Sequence, residues 1–166
     1  TGEVMGIDVD FPRAFAKSQM GAYGGLPTGG TAFISVADRD KRAIIFPVAH
    51  LVALGFTILA TSGTAAVLHR NGIPSTVVRK ASVGRGPDGE PTIVDLIHSG
   101  AVDMVINTPN GQGARIDGYE IRTATTAADK SIVTTIQQLN AAVQAIEGMA
   151  RPVTVTSMQE YHRRMA

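Results

Sequence analysis

Short β-like apolar runs in this chain alternate with stretches whose apolar positions recur at helical spacing. The pattern predicts strands over 31–36, 56–59, 75–78, 102–107 and 130–133. It predicts helices over 10–20, 92–99, 117–128 and 135–149, and a further one that opens near Ala65 and stops at Asn71-Gly72. Asp10 is placed to cap the first helix and Pro12 fits its first turn, while Ile136, Leu139, Val143 and Ile146 share one face of the long helix. The stretch 38–54 also has helical spacing, with Pro47 marking a kink or a late start. Residues 21–30 read as a flexible connector, 80–91 as a mobile loop rich in glycine and charge, and 151–164 as a short strand followed by a basic helix.

Strand and helix alternating in this way argue for an α/β three-layer sandwich around a mainly parallel, five-stranded sheet of the doubly wound, Rossmann-like kind. The run Val102-Asp103-Met104-Val105-Ile106-Asn107 is apolar enough to be buried on both faces. Ligands of such sheets bind beyond the carboxyl ends of the strands, so polar residues at those ends carry the functional signal. A start at Thr1-Gly2-Glu3 without methionine suggests a piece of something longer. The expected organisation is a junction helix and connector over 1–30 and one domain over 31–166, since 166 residues suit a single core.

The richest of the strand ends is Thr61-Ser62-Gly63-Thr64. Three hydroxyls and several free amides meet there at a helix start, where the helix dipole favours a phosphate and Gly63 lets the backbone come close. Simple capping by Thr61 or Ser62 is the plainer alternative. Lys41, in Asp38-Arg39-Asp40-Lys41-Arg42, and Lys80, in Arg79-Lys80, follow the first and third strands and stand at the same edge. A solvated helix start with aspartate caps is the competing account of the first group. Asn107 and Thr108 end the buried strand and suit a ribose or base edge, or else shape the turn with Pro109. Asp117 is a candidate for a sugar hydroxyl, with helix capping as its default role.

Composition narrows the partners. A net charge of +1 with 5% aromatic residues gives no basic stripe or stacking platform for nucleic acid, so anion recognition has to be local. Cysteine is absent, which excludes disulfides and thiolate metal sites. His50, His69, His98 and His162 lack metal-ligand spacing, so no metal is expected. With no apolar run of membrane-spanning length and no basic-apolar leader, the expectation is a soluble, cytoplasmic protein with no membrane partner.

Thr1-Gly2-Glu3-Val4-Met5-Gly6, Ala14-Phe15-Ala16-Lys17-Ser18-Gln19, Ala60-Thr61-Ser62-Gly63-Thr64-Ala65, Gly84-Arg85 with Ile93-Val94-Asp95-Leu96-Ile97, and Val105-Ile106-Asn107-Thr108 with Gly111 together resemble one family. It is the C-terminal allosteric domain of the carbamoyl-phosphate synthase large chain, which has the methylglyoxal synthase-like fold. The resemblance spans nearly the whole chain. It implies a regulatory domain that binds UMP- or IMP-type effectors and controls ATP-dependent carbamoyl phosphate synthesis for arginine and pyrimidine biosynthesis. Its partners would be the remainder of the large chain and the glutaminase small chain. The domain itself would need no cofactor; ATP with Mg or Mn would serve the parent ligase. By resemblance the phosphate contacts fall on Lys41, Thr61, Thr64 and Lys80, and the sugar or base contacts on Asn107 and Asp117; Ser62, Gly63 and Thr108 stand beside them as effector-binding candidates from the residue pattern. At the ornithine boundary, Thr134 matches the family's threonine, whereas Ile132 replaces its tyrosine. The alternative is a methylglyoxal synthase-like lyase acting on dihydroxyacetone phosphate, but that enzyme's carboxylate at the end of the fourth strand is represented here by Pro109, which cannot transfer a proton.

Overall fold

The computed structural model describes the backbone of residues 3–108 and 112–165, and the side chains of these residues except 23, 112–117 and 165. The first helix, α1 (Phe11–Tyr23), begins where the sequence places its signals: the Asp10 carboxylate accepts the Arg13 amide at 2.9 Å and Pro12 occupies the first turn. It runs to Tyr23, three residues beyond the expected stop, and is capped by Gly24 in the left-handed conformation. Strand β1 (Gly30–Val36) follows, then a 3-10 turn over Asp38–Asp40 and helix α2 (Ile45–Ala53). The helix expected over 38–54 therefore starts late, with Pro47 in its first turn, where a missing N–H costs no hydrogen bond. Strand β2 (Phe56–Ala60) runs into α3 (Ser62–Arg70), so Ser62, Gly63 and Thr64 form the first turn of a helix instead of a separate turn before it.

Next come β3 (Thr76–Val77), α4 (Ile93–His98), β4 (Met104–Thr108), α5 (Gln112–Ala127), β5 (Ser131–Val133) and α6 (Ile136–Gly148). Thr92 and Thr135 cap α4 and α6 by accepting the amides of Asp95 and Gln138. The last helix is α7 (Met158–Met165). The strand expected just before it does not form: residues 152–157 have no regular structure. The segment carries Val153 and Val155 at alternate positions, but Val155 is almost fully exposed and no neighbouring strand pairs with it among the described residues.

All five strands are parallel, in the order β3-β2-β1-β4-β5. The chain winds outward from β1 through β2 to β3, then returns to lay β4 on the other side of β1. The crevice between the carboxyl ends of β1 and β4 is thus the switch point of the sheet. Alternating side chains build two cores. Ala32, Ile34, Ile58, Ala60, Met104 and Ile106 point to one face, covered by α2, α3 and α6, and Ala16 of α1 joins them; Phe33 and Val105 point to the other, covered by α4 and α5. The three-layer α/β sandwich read from the sequence is the fold of the chain.

Candidate functional site

At the switch point lies a cavity of about 300 Å³, lined by the ends of β1 and β4, the start of α3 and part of α5. Its floor is the first turn of α3. Thr61 occupies the capping position, yet its side chain makes no capping bond; its hydroxyl donates to Thr64 Oγ1 at 3.3 Å. The Val36 amide also donates to Thr64 Oγ1, at 3.5 Å. With both lone pairs of that oxygen taken, the Thr64 proton is left to donate, although the residue is 1% exposed. Simple capping by Thr61 is therefore not what this turn does. The amides of Ser62 and Gly63 lie in the first turn, where helix geometry supplies no acceptor, and the helix dipole adds positive potential.

Lys41 leans over this turn. A Cβ built on Gly63 would stand 2.9 Å from Lys41 Nζ, so the glycine is what lets the ammonium settle there. The same ammonium holds Asp38 Oδ1 at 2.6 Å, and this hydrogen bond and charge keep the Asp38 carboxyl below its ordinary pKa. Lys80, just after β3, completes the cationic side. Its neighbour Arg79 turns away and donates to the Gly84 carbonyl at 3.2 Å. Arg39, two residues before Lys41, faces a separate hollow.

The opposite side of the cavity accepts hydrogen bonds. Asn107 donates its amide to the Ser35 carbonyl at 3.3 Å, which fixes the orientation of the group. Its Oδ1 is buried with no partner among the described residues. An orphaned acceptor of this kind is costly unless something arrives to donate to it. Thr108 donates its proton to Asp40 Oδ2 at 2.7 Å and its Oγ1 accepts the Ala37 amide at 3.3 Å, which leaves that oxygen one further lone pair as an acceptor. The Ala37 amide clamps the Thr108 carbonyl at 3.0 Å, tying the exit of β1 to the end of β4.

Eight of the sequence candidates thus come together: Lys41, Thr61, Ser62, Gly63, Thr64, Lys80, Asn107 and Thr108 all line the one cavity. The backbone of Asp117 lies within α5, five residues after its start, so helix capping is not its role; its side chain lies outside the described residues, as does Pro109 altogether. Thr134 lines the hollow on the far side of Thr108, together with Thr135 and Gln137, and its amide donates to Gln138 Oε1 at 3.0 Å. Ile132 lies on β5 and packs against the second core. Sequence reasoning did not select Asp38, Ser35, Gly118 or Ile121, which also line the cavity. The i,i+3 spacing of Asp38 and Lys41 was a usable signal for the first of these. The glycine-rich loop after Lys80 is folded on itself, with hydrogen bonds from the Gly86 and Gly89 amides to the Glu90 and Gly86 carbonyls, and Arg85 is pinned to Asp95 at 2.7 Å.

Residues 43–134, which hold most of this sheet and its cavity, match the family model of the MGS-like domain. The chain belongs to that family. Its relatives include carbamoyl phosphate synthase large chains: one from Beutenbergia cavernae is 72% identical over 97% of this chain, one from Kineococcus radiotolerans 64% over 99%, and one from Mycobacterium tuberculosis 58% over 98%. The chain spans 15–16% of the length of those relatives. Among the described residues of this MGS-like domain, no helix is long and apolar enough to cross a membrane.

Proposed function

We propose that this MGS-like domain is the regulatory module of a carbamoyl phosphate synthase large chain. A UMP- or IMP-type nucleoside monophosphate would bind in the switch-point cavity and control ATP-dependent carbamoyl phosphate synthesis, for arginine and pyrimidine biosynthesis, by the rest of that chain and its glutaminase partner. ATP and its divalent metal would belong to the synthetase part.

The observation that carries this reading is the polarity of the cavity. On one side the donors gather: the Thr64 hydroxyl, the Ser62 and Gly63 amides, Lys41 and Lys80, with the exposed Asp38 carboxylate paired to Lys41 beside them. The other offers the acceptors Asn107 Oδ1 and Thr108 Oγ1. A ligand that satisfies both sides has an anion at one end and hydroxyl or N–H donors at the other, which describes a phosphorylated nucleoside. Asp38, the carboxylate that lines the cavity among the described residues, is kept ionised by Lys41, which makes it a poor proton donor.

Calorimetric titration with UMP and with IMP tests the proposal, with uridine and inosine as controls. The expected outcome is saturable binding of at least one nucleotide and loss of binding when its phosphate is absent. In Thr64→Ala the affinity should fall by about 1.5–3 kcal/mol, the value of a hydrogen bond to a charged group. Failure of both nucleotides to bind the wild-type chain would overturn the reading.

A further inference from the structure

The Lys41 ammonium of the phosphate cradle already has an anionic partner, and it belongs to the chain itself. Lys41 Nζ stands over Gly63 at the start of α3, and its partner there is Asp38 Oδ1 at 2.6 Å. A bare ammonium is badly placed at a helix N-terminus, because the dipole and the free amides already make that spot positive. The Asp38 carboxylate offsets this. Its side chain is 94% exposed, so the pair is weakly held and the carboxylate is free to swing into solvent.

We propose that Asp38 is an intramolecular competitor for the phosphate cradle and so sets the affinity threshold of the site. This rests on the cradle binding a phosphate, as in the function proposed above. An arriving phosphate takes Lys41 from Asp38, and the released carboxylate stays close enough to repel it. Both effects oppose binding. A ligand held only by its phosphate meets this opposition with the cradle alone, whereas a nucleotide adds the donors that Asn107 Oδ1 and Thr108 Oγ1 can accept. Asp38 would thereby keep free phosphate from filling a site meant for a phosphorylated nucleoside.

The test compares wild type with Asp38→Asn, an exposed near-isosteric change that should leave the thermal melt unaltered. Asp38→Ser serves as a second variant in case the asparagine amide itself binds the anion. Each protein is titrated calorimetrically with UMP, IMP and inorganic phosphate at low ionic strength. Removal of the carboxylate should tighten nucleotide binding about three- to tenfold, the scale of one nearby unit charge acting through water. The gain should fade at high salt. If nucleotides bind all three proteins equally, or bind the variants more weakly, Asp38 does not compete and the inference is overturned while the effector reading stands. If no nucleotide binds but inorganic phosphate binds the variants more tightly than wild type, the effector reading falls and the competitor stands. If none of the probes binds any of the proteins, both fall.

Discussion

A single glycine decides how close Lys41 comes to the start of α3. Any side chain at position 63 would put its first carbon 2.9 Å from the ammonium nitrogen, so Lys41 would have to move. That nitrogen is the far end of a flexible chain, and alanine is the better helix former, so the fold should tolerate Gly63→Ala without loss of stability. Phosphate affinity should not. The expected result is an unchanged or slightly raised melting temperature with roughly tenfold weaker effector binding, since one charge-assisted contact is displaced. Equal affinity in the variant would mean that the position of Lys41 does not matter. At this scale the sequence was informative wherever a residue acts through its own segment. Thr61 to Thr64 read as an anion turn because hydroxyls, glycine and helix start are contiguous. Asp40 is different, because its partner Thr108 lies 68 positions away and only the sheet brings them together.

Among the elements, α4 shows how local chemistry fixes a boundary. Thr92 accepts the Asp95 amide while the Asp95 carboxylate accepts the Thr92 amide at 2.8 Å, a reciprocal capping box. The Arg85 guanidinium adds a bond to the same carboxylate, and with the Thr92 bonds it draws the Asp95 pKa from 3.8 down to about 2. The sign follows directly. Because the folded value lies below the unfolded one, Asp95 contributes stability that is fully present at neutral pH and is lost as pH falls from near 4 towards 2. Urea unfolding of Asp95→Asn should therefore show a destabilised protein at pH 7 and a shrinking difference from wild type across that window. Thr92→Ala should cost about 1 kcal/mol at pH 7. A wild-type-to-variant gap independent of pH would rule out the charged cap. The same locality explains which elements were legible. The start of α1 was marked by Asp10 and Pro12, and the helices expected from Thr92 and Thr135 begin one residue later because those threonines cap them, whereas the strand expected before α7 failed because a strand needs a neighbour and its apolar alternation cannot supply one.

For the whole molecule, the order β3-β2-β1-β4-β5 gathers residues from positions 35 to 121 at one crevice. The sequence could place Lys41, Thr61, Lys80 and Asn107 at strand ends, but not say which strands are neighbours. Parallel pairing of β1 with both β2 and β4, and of β2 with β3, brings four separate strand ends to one cavity. On the proposed function this site acts on chemistry performed elsewhere, so its effect should appear only when the rest of a large chain is attached. The comparison is between the full-length synthase and the same enzyme lacking this domain, assayed for carbamoyl phosphate formation at subsaturating ATP with UMP and IMP added in turn. Regulation requires the nucleotide to favour one state of the large chain over another, typically by about 1–3 kcal/mol, or roughly 5- to 150-fold in apparent affinity. By linkage the coupling runs both ways, so ATP bound to the synthetase part should change the nucleotide affinity of this domain by the same factor. The intact enzyme should therefore show a nucleotide-dependent shift in its ATP response that vanishes on truncation and weakens in Thr64→Ala. A truncated enzyme that kept the full response would place the effector site outside this fold.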